Sequence, residues 1–264
     1  MRIGFLALTL AVMLWFNFGQ QSSAGAMIQR SADLLDDRPA RSILIVGNSR
    51  TFQNDMPAML RAIADSAGNP NKFQIESSTY GGATFKTHWS KKRTRQLLAT
   101  GWDDVILQPE SGAQTWQQGN DDFLSFGPKL AAAAQLSSGR PRLVVGWPYD
   151  SKAYEEEDYA AAGFGRSEHL QLIKEMHAKL ASDANLDRIN VAGAWERARL
   201  SNPSIQLTSD GNHPTVAGSY LYALAVYAQL SNGPVAQVTY VPDGLSDNDA
   251  KALREAVDAV PRLL

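Results

Sequence analysis

Two short stretches of this sequence combine residue types that can perform nucleophilic chemistry. The first is Gly47-Asn48-Ser49-Arg50-Thr51, directly after the apolar run at 42–46. A serine at the carboxyl end of a buried strand sits in a turn that exposes its hydroxyl. The N–H groups of a helix beginning there point at any anion that develops. The same residues also read as a plain strand-to-helix turn with Ser49 as a cap. A phosphate cradle is disfavoured, because Asn48 and Arg50 leave too little glycine. The second stretch is Leu207-Thr208-Ser209-Asp210-Gly211-Asn212-His213-Pro214-Thr215, ahead of an apolar run at 216–230. Asp210 and His213, three residues apart, can share one turn, so the carboxylate reaches the imidazole and sets its tautomer. Pro214 suits the first position of the next helix, which makes His213 the expected cap. A histidine that only caps a helix is the alternative at this point.

The elements around these stretches predict how they meet. Continuous apolar runs at 42–46, 73–77, 105–107, 143–145 and, more weakly, 188–191 have the pattern of strands buried on both faces. Helical spacing separates them. Met56, Met59, Leu60 and Ile63 recur every three or four residues after Asp55-Met56-Pro57, and 96–98, 130–136 and 168–181 read as helices too. Leu170, Ile173, His177 and Leu180 would line one face of the last of these. Strands alternating with helices predict an α/β fold, a three-layer α/β/α sandwich on a central parallel sheet of about five strands, flavodoxin-like in plan. Ligands bind such sheets outside the carboxyl ends of the strands. Ser49 and His213 are expected to converge there. From Gly233 onward, a short strand-like piece (236–241) and a helix (247–260) are expected to pack on the domain edge.

Together these blocks resemble the SGNH, or GDSL, hydrolase superfamily, in the subset with a Gly-Asn-Ser-x-Thr first block and a Leu-Gln-x-x-Ser third block. The resemblance covers about residues 42–230. It implies that Ser49 attacks an ester carbonyl, His213 relays the proton and Asp210 orients the imidazole. It also implies an oxyanion hole from the Ser49 N–H and a glycine of the second block, Thr79-Tyr80-Gly81-Gly82-Ala83-Thr84, with Gly82 preferred to Gly81. The third block departs from the family. Where Gly-x-Asn-Asp is usual, the chain has Val105-Ile106-Leu107-Gln108-Pro109-Glu110-Ser111-Gly112. Gln108 offers the same amide donor as the absent Asn, or else simply bonds to backbone at the strand end. Glu110 and Ser111 are expected to support the site, Glu110 also as a substrate contact. Asn48 stands where the family has Asp.

Aromatic and histidine residues also fall near these blocks. Trp116, Trp147 and Tyr149 follow the third and fourth strands and are expected on the rim. Trp147 and Tyr149 are the expected substrate contacts there, Trp147-Pro148-Tyr149 reading as a sugar-stacking platform, with core packing as the alternative. His88 is expected to be exposed or capping on the second helix, and His169 and His177 to lie on a surface helix. Asp121-Asp122 reads as a helix N-terminal pair. No spacing of His and carboxylates forms a metal signature, and no cofactor is expected.

Composition bounds the setting. The 264 residues suit one large single-core domain, with 44% hydrophobic residues and a net charge of −2. Charges are interspersed, leaving no footprint for nucleic acid. The one basic cluster, Lys91-Lys92-Arg93 with Arg95, reads as a solvated helix face. The absence of cysteine excludes disulfides and thiolate chemistry. Residues 1–26 read as an export signal: Arg2, an apolar run at 3–16, then Ala24-Gly25-Ala26 as a cleavage pattern. That run is short for a membrane span, which needs about 20 residues, although an uncleaved anchor is the alternative. The expected organisation is a signal peptide (1–26), a lead-in (27–41), the hydrolase domain (42–232) and an extension (233–264). The expected setting is the periplasm or outside the cell, without stable membrane insertion once the signal is removed. The expected activity is hydrolysis of a carboxylic ester, with an O-acetyl group on a carbohydrate as the leading substrate. An O-acyltransferase acting on a polysaccharide and a catalytically silent carbohydrate-binding protein are the alternatives.

Overall fold

The computed structural model describes residues 36–150 and 165–263; the expected signal peptide falls outside them. The chain divides after Pro39 into two units. In the described part of the first, Arg38 grips the Asp36 carboxylate at 2.6 Å.

The second unit is built on five parallel strands: β1 (Ala40–Gly47), β2 (Lys72–Thr79), β3 (Asp104–Leu107), β4 (Arg140–Val145) and β5 (Asp187–Asn190), in the order β2-β1-β3-β4-β5. Side chains of β1 alternate between two cores. Ile43 and Ile45 join one, and Leu44 and Val46 the other. Each core is closed by helices, giving the three-layer α/β/α sandwich. The helices are α1 (Ser49–Phe52), α2 (Met56–Ser66), α3 (Phe85–Ser90), α4 (Lys92–Leu98), α5 (Gln117–Leu136), α6 (Arg166–Ala184), α7 (Val191–Ser201), α8 (Val216–Ser231) and α9 (Asp247–Asp258). Those of α2, α7, α8 and α9 cover the Ile43 face, and α3 to α6 the Leu44 face.

Helix α8 explains the stability of the first core. It is apolar all round and buried from Ala217 to Leu230, wedged between α2 and α9. A helix without a polar face is stable only when covered on every side. Leu221 and Leu224, both fully buried, each contribute about 1.5–3 kcal/mol.

At the amino edge of the sheet the strands are pinned by charge. The Asp104 carboxylate on β3 is buried between Arg41 of β1 (2.7 Å) and Arg142 of β4 (3.0 Å), and Arg142 continues to Asp187 of β5 (2.9 Å). One buried carboxylate with two guanidinium partners is satisfied; without them it would be a severe penalty.

Three expectations are corrected. Residues 236–241 form no strand: Val235 and Val238 turn inward to the core, Val238 donating to the Val235 carbonyl at 3.0 Å. Residue 191 begins α7 instead of ending β5, because the Asn190 side chain accepts from the Gly193 N–H at 3.0 Å and caps a helix with no intervening loop. Asp121 and Asp122 lie one turn inside α5, where Gln117 and Gln118 bond to them, and so are not its N-terminal pair. The basic cluster 91–93 with Arg95 is exposed on and just ahead of α4. Among the described residues no helix is long and apolar enough to cross a membrane.

Candidate active site

Strand β1 has neighbours on both sides; the connection leaving β1 runs to β2 on one side, while that leaving its other neighbour, β3, runs to β4 on the opposite side. That is the switch point at which parallel sheets open a crevice. Ser49 stands there. Immediately after β1 the chain turns through Asn48, whose side-chain oxygen accepts from the Arg50 N–H at 3.1 Å. Asn48 is therefore the cap of α1, and the Ser49 hydroxyl is not consumed in capping. The turn is so tight that a Cβ on Gly47 would lie 2.5 Å from Thr51 Oγ1 and 2.8 Å from Gln108 Oε1.

The second stretch folds into a small closed loop. Thr208 and Pro214 form an antiparallel bridge, Ser209 N–H donates to the His213 carbonyl at 2.9 Å, and Gly211 turns the corner at φ +90°. The Asp210 carboxylate uses one oxygen to accept from the backbone N–H groups of Asn212 (2.9 Å) and His213 (2.7 Å). Its other oxygen lies 2.7 Å from His213 Nδ1. Partial burial pushes this carboxyl up, but the hydrogen bonds from the His213 ring, His213 N–H and Asn212 N–H outweigh it and hold it below its usual range. An ionised Asp210 can only accept, so Nδ1 carries the proton and Nε2 is left as an acceptor. Nε2 lies 2.9 Å from Ser49 Oγ. His213 is not the helix cap; Thr215 is, accepting from the Gly218 N–H at 3.2 Å.

The glycine block follows β2, the neighbour of β1. Tyr80 N–H donates to the Gly47 carbonyl at 3.3 Å, which lays this turn beside that of Ser49. Gly81 and Gly82 are exposed, and Gly82 is left-handed at φ +61°. Gln108 is arranged differently from a free donor. It is buried, its Oε1 accepts from Asn48 N–H (2.9 Å) and Thr51 Oγ1 (3.0 Å), and its Nε2 donates to the Pro109 carbonyl. The amide braces the Ser49 turn from beneath.

Comparison with known proteins places this architecture. No family model and no curated protein matches the sequence. Solved structures do match. A DUF4886 family protein from Bacteroides uniformis superposes with a TM-score of 0.72 at 18% identity, over 83% of this chain and 93% of its own. A candidate SGNH hydrolase from Slackia heliotrinireducens gives 0.61 at 25% identity, over 74% of this chain and 100% of its own. The acetylxylan esterase Axe2 from Geobacillus stearothermophilus gives 0.56 at 12% identity, over 77% and 96%. The fold is that of SGNH hydrolases.

Within this SGNH-type fold, two expected substrate contacts are displaced. Trp147 is 1% exposed, stacked on Trp195 with ring centroids 3.9 Å apart and planes 4° from parallel. It is a core residue and offers no face to a sugar. Tyr149 is equally buried, against His169. Only Trp116 is exposed, at 47%, its indole lying so close over Gly119 that a Cβ there would fall 2.6 Å from Nε1. Glu110 is half-buried; burial pushes its carboxyl up, against the Gly112 N–H that donates to it at 3.0 Å. Ser111 is buried beside it.

All three remaining histidines are buried, contrary to expectation. His88 turns toward the end of β1, its Nε2 donating to the Gly47 carbonyl at 3.0 Å. His169 accepts from the Tyr149 N–H at 3.4 Å, and His177 donates to the Ile173 carbonyl at 2.7 Å. Burial lowers their pKa values to about 4, 3 and 4 respectively, so they are neutral at pH 7. Among the described residues no three His, Asp or Glu gather as a metal site.

Sequence reasoning missed Arg50 and Asn212. Arg50 is buried, donating from Nε to Asn212 Oδ1 at 2.9 Å and from one terminal nitrogen to the Trp147 carbonyl at 2.7 Å. The signal was available, since Arg50 adjoins Ser49 and Asn212 adjoins His213.

Proposed function

We propose that this chain is a serine esterase of the SGNH superfamily, hydrolysing a carboxylic ester through an acyl-enzyme. The observation that carries the reading is the hydrogen-bonded line from Asp210 through His213 to Ser49, at 2.7 and 2.9 Å. Attack by Ser49 Oγ passes its proton to Nε2, and the imidazolium is stabilised by Asp210, which stays ionised. The same imidazolium then protonates the departing alkoxide. Water, deprotonated in turn by His213, releases the acid and frees Ser49. The Ser49 N–H and Gly82 N–H are the oxyanion donors; Gln108 supports the turn. An O-acetyl group on a carbohydrate is the substrate class, supported by acetylxylan esterases among the fold neighbours. The leader supports a periplasmic or secreted location, which N-terminal sequencing of the mature protein would test.

Purified protein is expected to hydrolyse p-nitrophenyl acetate and to release acetate from acetylated xylo-oligosaccharide. Turnover no greater than that of Ser49→Ala would sink the reading. One observation favours a catalytically silent carbohydrate-binding protein: the only side-chain amide of the third block, Gln108, is already engaged. Binding of the oligosaccharide without turnover would support it.

A further inference from the structure

The short loop that carries His213 is closed by its own hydrogen bonds, including Ser209 N–H to His213 O and Thr215 N–H to Leu207 O at 3.0 Å. Those bonds fix its shape but not its distance from Ser49. A hydroxyl–imidazole contact tolerates little error, since a misplacement of about 1 Å can cost about 100-fold in rate. Something must therefore tie the loop to the nucleophile.

The ties come from the nucleophile's own segment and fall on either side of the histidine. Arg50, next to Ser49, donates to Asn212 Oδ1 at 2.9 Å, one residue before His213. Asn54, at the turn after α1, donates from Nδ2 to the Pro214 carbonyl at 2.9 Å, one residue after it. Both donors are themselves anchored. The Arg50 guanidinium lies 4.3 Å over the Trp147 ring and bonds to the Trp147 carbonyl, while the Trp147 indole N–H donates to the Asn212 carbonyl at 3.1 Å. Asn54 also donates to Ser219 Oγ at 3.0 Å, and Ser219 Oγ donates to the Gln53 carbonyl at 3.2 Å. Asn54 is held left-handed at φ +53°, followed by Asp55 at +51°. Two consecutive non-glycine residues in that region are costly, and such strain persists only where the surroundings enforce it.

We propose that Arg50 and Asn54 are positioning residues that form a two-point clamp, gripping the chain on both sides of His213 and holding its ring in line with Ser49. The inference rests on the esterase reading for its rate readout, though not for its geometry. Arg50 acts through Asn212, and Asn54 through the Pro214 carbonyl.

Three variants test the clamp: Arg50→Gln, Asn212→Ala, which removes the acceptor of Arg50, and Asn54→Gly, which keeps the left-handed backbone and deletes the amide. With p-nitrophenyl acetate each is expected to lower kcat by roughly 10–100-fold while KM changes by less than about threefold. The Arg50→Gln/Asn212→Ala double variant is expected to be no slower than the poorer single one. Wild-type kcat in folded Arg50→Gln and Asn54→Gly, or losses that multiply in the double variant, would overturn the proposal. If Arg50→Gln does not fold, Asn212→Ala and Asn54→Gly decide it on the same criteria. If the wild-type protein has no esterase activity, the functional reading fails and the clamp is judged by NMR of the His213 ring. Shifted or broadened ring signals in Asn212→Ala and Asn54→Gly support it; spectra like the wild type overturn it.

Discussion

The imidazole of His213 and the hydroxyl of Ser49 stand 2.9 Å apart, although 164 positions separate them in the chain. One lies at the end of the first strand and the other just before α8. The contact follows from how the sheet is ordered, because placing β1 inside the sheet, between β2 and β3, leaves the Ser49 turn open to a loop anchored beyond β4. That loop is fastened there by the Asp150 N–H, which donates to the Gly211 carbonyl at 2.9 Å.

The first prediction concerns the pair directly. Ser49→Ala and His213→Ala are each expected to lower kcat for p-nitrophenyl acetate by about 10⁴-fold or more, and the double variant by little further. Asp210→Asn should cost about 10⁴-fold while leaving the fold intact, since it reverses the preferred tautomer. Steady-state kinetics on all four proteins, alongside thermal melts, check this.

Gln108→Ala separates bracing from catalysis. It removes the acceptor for the buried Asn48 N–H and the Thr51 hydroxyl, which should cost about 1–3 kcal/mol in urea denaturation. Gly82→Ala, by contrast, forces a side chain onto a left-handed residue in open space, and should lower kcat more than stability. A larger kcat loss in Gln108→Ala than in Gly82→Ala would reverse these roles.

Acid stability should be set by the three buried histidines. Each is neutral when folded and has a pKa lowered from 6.5 to about 3–4, so below pH 6.5 the unfolded chain binds protons that the folded one refuses. Stability should therefore fall as pH drops from about 6.5 toward 4 and be flat with respect to these groups above about 7. The full effect is on the order of 3 kcal/mol per histidine. Urea titrations between pH 4 and 8 on wild type and on His177→Phe, which lacks one such group, should show the shallower slope in the variant.

At the opposite edge of the sheet, Asp104→Ala should be far more damaging than loss of an exposed pair. Stranding the Arg142 guanidinium without its buried carboxylate is expected to cost about 3–5 kcal/mol, against at most about 1 for removing Glu76 from exposed Arg93. Chemical denaturation of both variants makes the comparison.

Much of this was legible in the sequence because it was written in hydrophobicity. Runs such as Val105 to Leu107 have no polar face and fit only a strand covered on both sides. The meeting of Ser49, Asp210 and His213 was legible because both blocks belong at the carboxyl ends of the strands. What stayed hidden depended on partners distant in the chain. Trp147 reads as a rim residue until α7 is known, since the ring it stacks on, Trp195, belongs to a helix that starts without a loop. His88 shares a face with Phe85, three residues before it, on a helix of six residues, too short for periodicity to declare its buried face. Arg50 counts in the sequence only as a residue that, with Asn48, leaves too little glycine for a phosphate cradle, while in the fold its guanidinium lies 4.3 Å over an indole.

The closed loop of Asp210 to His213 has a consequence for when the molecule becomes competent. Its carboxylate and imidazole stand three residues apart in the chain and can find each other in a fragment, but the hydroxyl beside them comes from the turn after β1, 164 positions earlier. A chain still emerging from a ribosome, or threading through a narrow pore, would carry the serine early and remain inert until α8 docks. On the proposed esterase reading, ester turnover would then serve as a clock for completed folding.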